Sequence, residues 1–398
     1  MFPKIKSLEN MIIGRYSETD ISCICLEGGF IGESDILLME EEKVNKLYIS
    51  SNNIQRFPNT LRSLKIKNYT GYIRLILSKL NEGIDRISFN DLFNEPVPIM
   101  SDSLRKITFS HFFNLPIENF TKNLRVIKFG DSFNCSIDNF PDTIEKIIFG
   151  TNFNTKITKY PSNLKYIKFG RNYNHQLDNL PNTVEVLKIG KEFSYEIFNY
   201  PTALRKLSIY GTREYDLSII PTTTTSLKIR KELKDSLLIF PRTVKKLSLD
   251  ICIDNEEQIL SIPDCIETLI LGNKFNQRVD MLPSSIRILY FKKGFNKSID
   301  NLPNSIKFLF LGEGFDQNID NLPDSIECIS FGYQRKDTKN RSPLFRTRFN
   351  KFINRIPNSL KYIILPHDFN YYNVNKHVNK IKTIDGSKEN YYKLFPFL

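Results

Sequence analysis

Apolar residues recur in this chain with a period of 20, and three in each period carry the spacing of a short, half-buried strand. The first column runs Leu104, Leu124, Ile144, Leu164, Val184 and Leu204. Three residues on come Ile107, Ile127, Ile147, Ile167, Leu187 and Leu207, and two further on Phe109, Phe129, Phe149, Phe169, Ile189 and Ile209. A glycine often follows (Gly130, Gly150, Gly170, Gly190, Gly272, Gly312, Gly332), which predicts a tight turn out of the strand. Next comes a Phe-Asn pair, as in Phe133-Asn134 and Phe153-Asn154, then an apolar residue (Ile137, Ile157) and an apolar-Pro corner at Pro141 and Pro161. Proline removes a donor and disfavours helix, so the return limb is predicted to be irregular or extended. Repetition at this period predicts stacked coils, each burying its apolar face against its neighbours. In such a stack each Phe of the pair fills the core, and each Asn is expected to bond backbone groups of its own or the next coil.

The first clear unit is Val44 to Leu61, whose Val44, Leu47, Ile49, Asn52, Ile54 and Phe57 resemble the leucine-rich repeat, L-x-x-L-x-L-x-x-N-x-L. A second strand follows at Leu61, Leu64 and Ile66, residues 67–83 are irregular, and the 20-residue register starts at Ile84. The expected fold is a β-rich, leucine-rich-repeat-like, right-handed solenoid of about sixteen coils with one parallel β-sheet and little α-helix. Residues 1–43 lack the repeat and hold short β-like runs (Ile21–Leu26, Ile36–Met39) split by Gly28, Gly29 and Gly32. They are expected to cap the first coil, residues 44–370 to form the solenoid, and residues 371–398 to cap its other end. Between about 204 and 265 the pattern decays: Arg213 and Leu233 replace the Phe, and Thr224 replaces the first apolar strand residue. Coils there are expected to stack less regularly. A basic insertion at 333–348, with Arg335, Lys336, Lys339, Arg341, Arg346 and Arg348 against Asp337, delays the next Phe-Asn pair by 14 residues.

The recurring set Phe133, Asn134, Ile137, Pro141, then Phe153, Asn154, Ile157, Pro161, resembles the FNIP repeat, a relative of the leucine-rich repeat. Phe295, Asn296, Ile299, Pro303 and Phe349, Asn350, Ile353, Pro357 continue it, so the resemblance covers roughly residues 84–370. Such proteins are typical of amoebae and their giant viruses, and the resemblance implies an interaction module. Some members carry an F-box and look like substrate-recruiting adapters of ubiquitin ligases; residues 1–43 show no F-box pattern.

Composition narrows the function classes. The 398 residues carry 56 Lys plus Arg against 44 Asp plus Glu, a formal net charge of +12, and Asn, Ile and Lys are abundant throughout, as an AT-rich genome would produce. No run is long and apolar enough for a membrane span, and the six cysteines show no C-x-x-C pair. Asn134 and Asn296 stand in N-x-Ser triplets, yet glycosylation in the Phe-Asn column would pry coils apart, so a cytoplasmic (host cytoplasm, if viral) or nuclear location is expected. Four scattered histidines and no glycine-rich phosphate loop suggest no enzyme, metal site or cofactor. The Asp138, Asp178, Asp280, Asp300 and Asp320 column is explained by backbone bonding within coils.

The outward strand positions carry the functional candidates. The second alternates in sign (Arg125, Glu145, Lys165, Glu185, Arg205), a cross-strand ladder that needs no ligand. Over the second, third and fifth positions from Leu61 to Leu249, basic residues outnumber acids sixteen to three. Lys128, Lys146, Lys168, Lys188, Lys206 and Lys228 are therefore candidate anion-binding residues, set against the simpler account of genome bias. Past residue 266 the same positions turn apolar, with Ile288, Tyr290, Phe308, Phe310 and Tyr362 as candidate protein-binding residues. Either a partner or the chain's own insertion and tail is expected to cover them. The sequence reads as a protein–protein interaction scaffold, with nucleic-acid binding through the lysine field and the 335–348 loop as the alternative.

Overall fold

In the computed structural model the described residues are 23–26, 31–50, 54–67, 76–89, 92–211, 216–230, 240–250, 262–332, 348–365, 369–370 and 372. They fall into two compact units, Met1–Leu204 and Arg205–Leu398. The first holds β1 (Cys23–Leu26), α1 (Glu33–Glu41), β2 (Lys46–Ile49), β3 (Ser63–Ile66), β4 (Arg86–Ser88) and β5 (Lys106–Thr108). It ends with β6 (Val126–Lys128), β7 (Lys146–Ile148), β8 (Tyr166–Lys168) and β9 (Val186–Lys188). The second holds β10 (Lys206–Ile209), β11 (Ser226–Ile229), β12 (Lys246–Leu249), β13 (Thr268–Leu271), β14 (Ile288–Phe291), β15 (Phe308–Leu311), β16 (Cys328–Phe331) and β17 (Tyr362–Ile364). Within each unit every strand pairs in parallel with the strand before it, as Ile147 with Ile127 and Leu289 with Leu269. The fold is a parallel β-solenoid of stacked coils with very little helix, and the described residues hold seventeen strands against the sixteen or so expected.

The core follows the columns. Leu104, Leu124, Ile144, Leu164, Val184 and Leu204 are fully buried, as are the Phe-Asn aromatics Phe113, Phe133, Phe153, Tyr173 and Phe193. Within a coil the strand Phe stacks on the Phe-Asn ring, with centroids 3.7 Å apart for Phe129–Phe133 and 3.8 Å for Phe149–Phe153. Between coils the same rings stack at 6.0 Å (Phe133–Phe153) and 5.8 Å (Phe153–Tyr173). The second unit repeats this with Phe275, Phe295, Phe315, Phe349 and Phe369. In the first unit two parallel piles of offset rings thus run along the interior, an arrangement the aromatic quadrupole favours, whereas in the second Leu271 and Leu311 alternate with Phe291 and Phe331 and leave one continuous pile.

Asparagine supplies the polar ladder. The backbone N–H of Asn134 donates to Asn114 Oδ1 at 2.8 Å, that of Asn154 to Asn134 Oδ1 at 2.7 Å, and that of Asn174 to Asn154 Oδ1 at 2.9 Å. The bond is always to the next coil, so each Asn satisfies a donor that a strandless limb would leave open. After the insertion the ladder resumes through Asp316 Oδ1, which accepts from Asn350 N–H at 3.4 Å, and Phe315 stacks on Phe349 at 6.3 Å.

Several expectations change. Ile36–Met39 is helical: it lies in α1, which buries Ile36 and Met39 one turn apart and starts where Asp35 Oδ2 accepts the Gly32 N–H. Its end is a Schellman turn in which Val44 N–H donates to Met39 O and Lys43 N–H to Glu40 O, with Lys43 at φ 56°. β1 joins the sheet beside β2, so the ladder begins inside the segment read as a cap. The strand-exit glycines serve close approach: a Cβ on Gly150 would stand 2.0 Å from Gly130 O, and one on Gly170 1.5 Å from Gly150 O, while positive φ occurs at Gly332 alone among the described glycines. The aspartate column bonds mainly across coils, Asp138 accepting from Thr158 N–H, Thr158 Oγ1 and Lys159 N–H. β10 to β13 pair without a register slip, so the decay after residue 204 leaves the strands regular, with Thr224 buried in the apolar column's place. Arg213, Leu233, residues 333–347 of the insertion and residues 373–398 of the tail lie outside the described residues.

Candidate functional site

Alternation along each strand turns the third and fifth positions away from the core, and this outward face is where the chain differs from coil to coil. From β2 to β12 every strand places one cation and no acid at these two positions. In the first unit the pairs are Lys46/Tyr48, Ser63/Lys65, Arg86/Ser88, Lys106/Thr108, Val126/Lys128, Lys146/Ile148, Tyr166/Lys168 and Val186/Lys188, all exposed or half-buried. The second unit adds Lys206/Ser208, Ser226/Lys228 and Lys246/Ser248. These 22 positions hold eleven cations and no acid, where 56 basic and 44 acidic residues in 398 would place about three and about two. Genome bias enriches lysine; it does not exclude carboxylates from one face.

The cations mostly alternate between the two positions, which spaces them diagonally and limits repulsion. Two pairs are directly opposed, Arg86 with Lys106 and Lys168 with Lys188. Lys106 shows the cost: burial, then Arg86, Lys146 and Lys128, hold its pKa below the usual lysine value. Burial and Lys206 do the same for Lys246. Tyr166 relieves part of it, because its ring lies 4.2 Å from Lys146 Nζ and 5.3 Å from Lys188 Nζ. The second position forms the expected ion ladder, Glu145 accepting Arg125 at 3.0 Å and Lys165 at 3.2 Å, and Glu327 accepting Lys307 at 2.8 Å and Lys361 at 2.6 Å.

The apolar zone behaves otherwise. Ile288, Tyr290, Phe308, Phe310 and Tyr362 do come together, in one cluster with Ile270, Cys328 and Ile364. Tyr290 and Phe310 stack at 4.0 Å and are only 4% and 1% exposed, so of the two expected kinds of cover it is the chain itself that buries the two central rings. Burial there pushes the Cys328 thiol up to about 12. Ile288, Phe308 and Tyr362 stay half-buried around them.

Sequence reasoning missed Lys46 as a member of the cationic series and Tyr166 as the ring between two lysines; Lys65 entered only the overall count of basic residues. Scoring acids as well as bases at only the third and fifth positions would have found the series, since the sign-alternating second position dilutes it. Among the described residues no group of three or more His, Cys, Asp or Glu could hold a metal ion, and no helix is long and apolar enough to cross a membrane.

The FNIP Repeat family model matches residues 113–152, 153–192, 255–294, 275–314 and 295–334. The chain carries FNIP repeats. Among solved structures, the giant-virus protein CroV588, described as a novel circular LRR protein, is similar with a TM-score of 0.56 and 28% identity, over 82% of this chain and 54% of that one. The FNIP-repeat chain therefore spans about half the length of CroV588. YopM from Yersinia enterocolitica WA-314 is similar at 13% identity with a TM-score of 0.39, over 90% of this chain and 93% of YopM. No curated protein matches the chain in sequence.

Proposed function

We propose that this FNIP-repeat chain is a non-enzymatic scaffold that holds a protein partner on the outward face of its parallel sheet, the work of an adapter. One observation carries the reading: the one-cation, no-acid rule maintained over every strand from β2 to β12. A face of like charges, on which burial and then the neighbouring cations lower the Lys106 pKa, favours an oppositely charged occupant. Repeat solenoids of this kind present extended binding surfaces, which supports a macromolecular occupant over a small ligand.

The half-buried rim residues Ile288, Phe308 and Tyr362 could extend contact in the second unit, whereas Tyr290 and Phe310 lie too deep to touch a partner without rearrangement. The lysines equally suit a nucleic acid, and the experiment separates the two. The chain and its Lys128→Glu/Lys168→Glu variant are immobilised and exposed to nuclease-treated and untreated lysate. Protein capture that survives nuclease and is lost with the variant is the expected result. Capture removed by nuclease points to nucleic acid, and capture indifferent to the variant removes the face from consideration.

A further inference from the structure

Over β6 to β9 the residue that shares a strand with each cation is aliphatic on three strands, Val126 with Lys128, Ile148 with Lys146 and Val186 with Lys188, and on the fourth it is Tyr166 with Lys168. Over β2 to β5 the corresponding residues are Tyr48, Ser63, Ser88 and Thr108, none of them aliphatic. The pairing register makes the mixed area continuous. Val126 lies beside Lys146, Lys146 beside Tyr166 and Tyr166 beside Val186 in one column; Lys128, Ile148, Lys168 and Lys188 follow one another in the other. Each step is about 4.8 Å, so four strands span about 14 Å, the reach of about five extended residues.

Resting on the reading of this face as protein-binding, we infer that β6 to β9 take an acidic, aliphatic segment of a partner polypeptide, in which Asp or Glu residues are interspersed with Leu, Ile or Val. The carboxylates meet Lys128 and Lys168, whose ends are exposed. The aliphatic side chains cover Val126, Ile148 and Val186, which are half-buried and gain from losing further water. A nucleic acid satisfies only half of this surface. Its phosphates would find the lysines, but Val126, Ile148 and Val186 offer no plane on which a base can stack. The single aromatic, Tyr166, already has Lys146 and Lys188 against its ring. A uniformly acidic peptide would likewise leave the aliphatic positions uncovered.

Fluorescence anisotropy with the full chain tests the inference, using a short labelled peptide alternating Glu with Leu at physiological salt. Two further probes share its net charge: the same peptide with Ser for Leu, and a single-stranded oligonucleotide. The Glu-Leu peptide should bind at least about tenfold more tightly than the Glu-Ser peptide or the oligonucleotide. Lys128→Glu/Lys168→Glu should weaken it about tenfold or more, with a loss that shrinks as salt rises. Ile148→Ser should weaken the Glu-Leu peptide roughly threefold to tenfold and leave the Glu-Ser peptide unchanged. All three substitutions sit on the outward face, and an unchanged melting temperature and far-UV spectrum confirm that folding is intact. Equal or tighter binding of the Glu-Ser peptide or the oligonucleotide overturns the inference, as does an Ile148→Ser variant that binds normally. If no peptide binds while the lysine variant still loses nuclease-resistant partners, the scaffold reading stands and the acidic-aliphatic chemistry falls.

Discussion

The outward faces of β2–β9 and of β13–β17 occupy the same positions in the same repeat, yet they are opposite surfaces. The first presents one cation on every strand, open to solvent, with its rings and aliphatics dispersed among lysines. The second has no charge at its third and fifth positions and buries Tyr290, Phe310, Cys328, Ser330 and Ile364. Inward, the two share the Phe-Asn ring pile, the buried aliphatic columns and the side-chain-to-backbone rungs. Repeats of this kind therefore separate two tasks. Inward positions keep the stack, and outward positions are free to specialise because altering them breaks no rung.

The sharpest way to break the comparison is to truncate the same strand position in both regions. Phe310→Ala should destabilise the chain by about 3–5 kcal/mol in urea unfolding, as a buried ring lost from a packed cluster does. Lys128→Ala, at the fifth position of β6, should stay within about 0.5 kcal/mol of the parent. Cys328 gives a second readout: its buried thiol should resist alkylation in the folded chain and react along with unfolding in the Phe310→Ala variant. Equal stability losses at both positions would mean that the faces do not differ as described.

A smaller effect is expected from Tyr166→Ala, which strips the ring from between Lys146 and Lys188. About 1–2 kcal/mol should be lost, and more at low salt, because the unshielded lysines then repel. The matching experiment in the second region, Ile270→Ala, should show no such salt dependence.

Acid should act on both regions alike. The Thr151 hydroxyl and backbone N–H hold Asp131 below the usual carboxyl value. For Asp138 and Asp320 burial alone would raise the pKa, but hydrogen bonds from Thr158 and Lys159, and from Asn354 and Arg355, outweigh it and lower both. Depressed carboxyls contribute stability that is present above their unfolded value, about 3.9, and is lost as pH falls through the folded values. The melting temperature should therefore drop below about pH 4, and Asp138→Asn should make that drop shallower while costing under about 1 kcal/mol at neutral pH. An acid response confined to one region would show that the rungs are not shared. Least of all, Glu145→Gln should cost about 0.2–1 kcal/mol by leaving Arg125 and Lys165 opposed across one exposed rung, detectable as a shift in the urea midpoint.

What could be read before the structure was whatever repeats. The Phe133 and Phe153 column, the aliphatic columns and the backbone-bonding role of Asn134 and Asn154 follow from periodicity, while the choice of the next coil over the residue's own came only with the structure. Ile36–Met39 escaped because four apolar-leaning residues suit strand and helix alike; the Asp35 cap and the Lys43 turn decide it, and neither repeats. The glycines at 130, 150 and 170 were placed correctly for the wrong reason. Backbone crowding between coils, which no single-coil pattern contains, requires them. Periodicity also told which face Tyr290 and Phe310 occupy but left open whether a partner or the chain itself covers it, since alternation gives direction and not depth. The lysine series was visible in the sequence, although summing charge over three positions mixed it with the sign-alternating second position.

The rung from each asparagine to the next coil has a consequence for how such a gene can change. Donor and acceptor both belong to the repeated segment, so tandem duplication of 20 codons inserts a copy that finds an acceptor below it and offers one above. The same logic tolerates additions that respect the ends: Asp320 still accepts from Asn354 across 34 positions of sequence, as Asp138 does from Thr158 across 20. Gains of whole repeats thus keep every rung, while each new copy arrives with two outward codons on which selection can act.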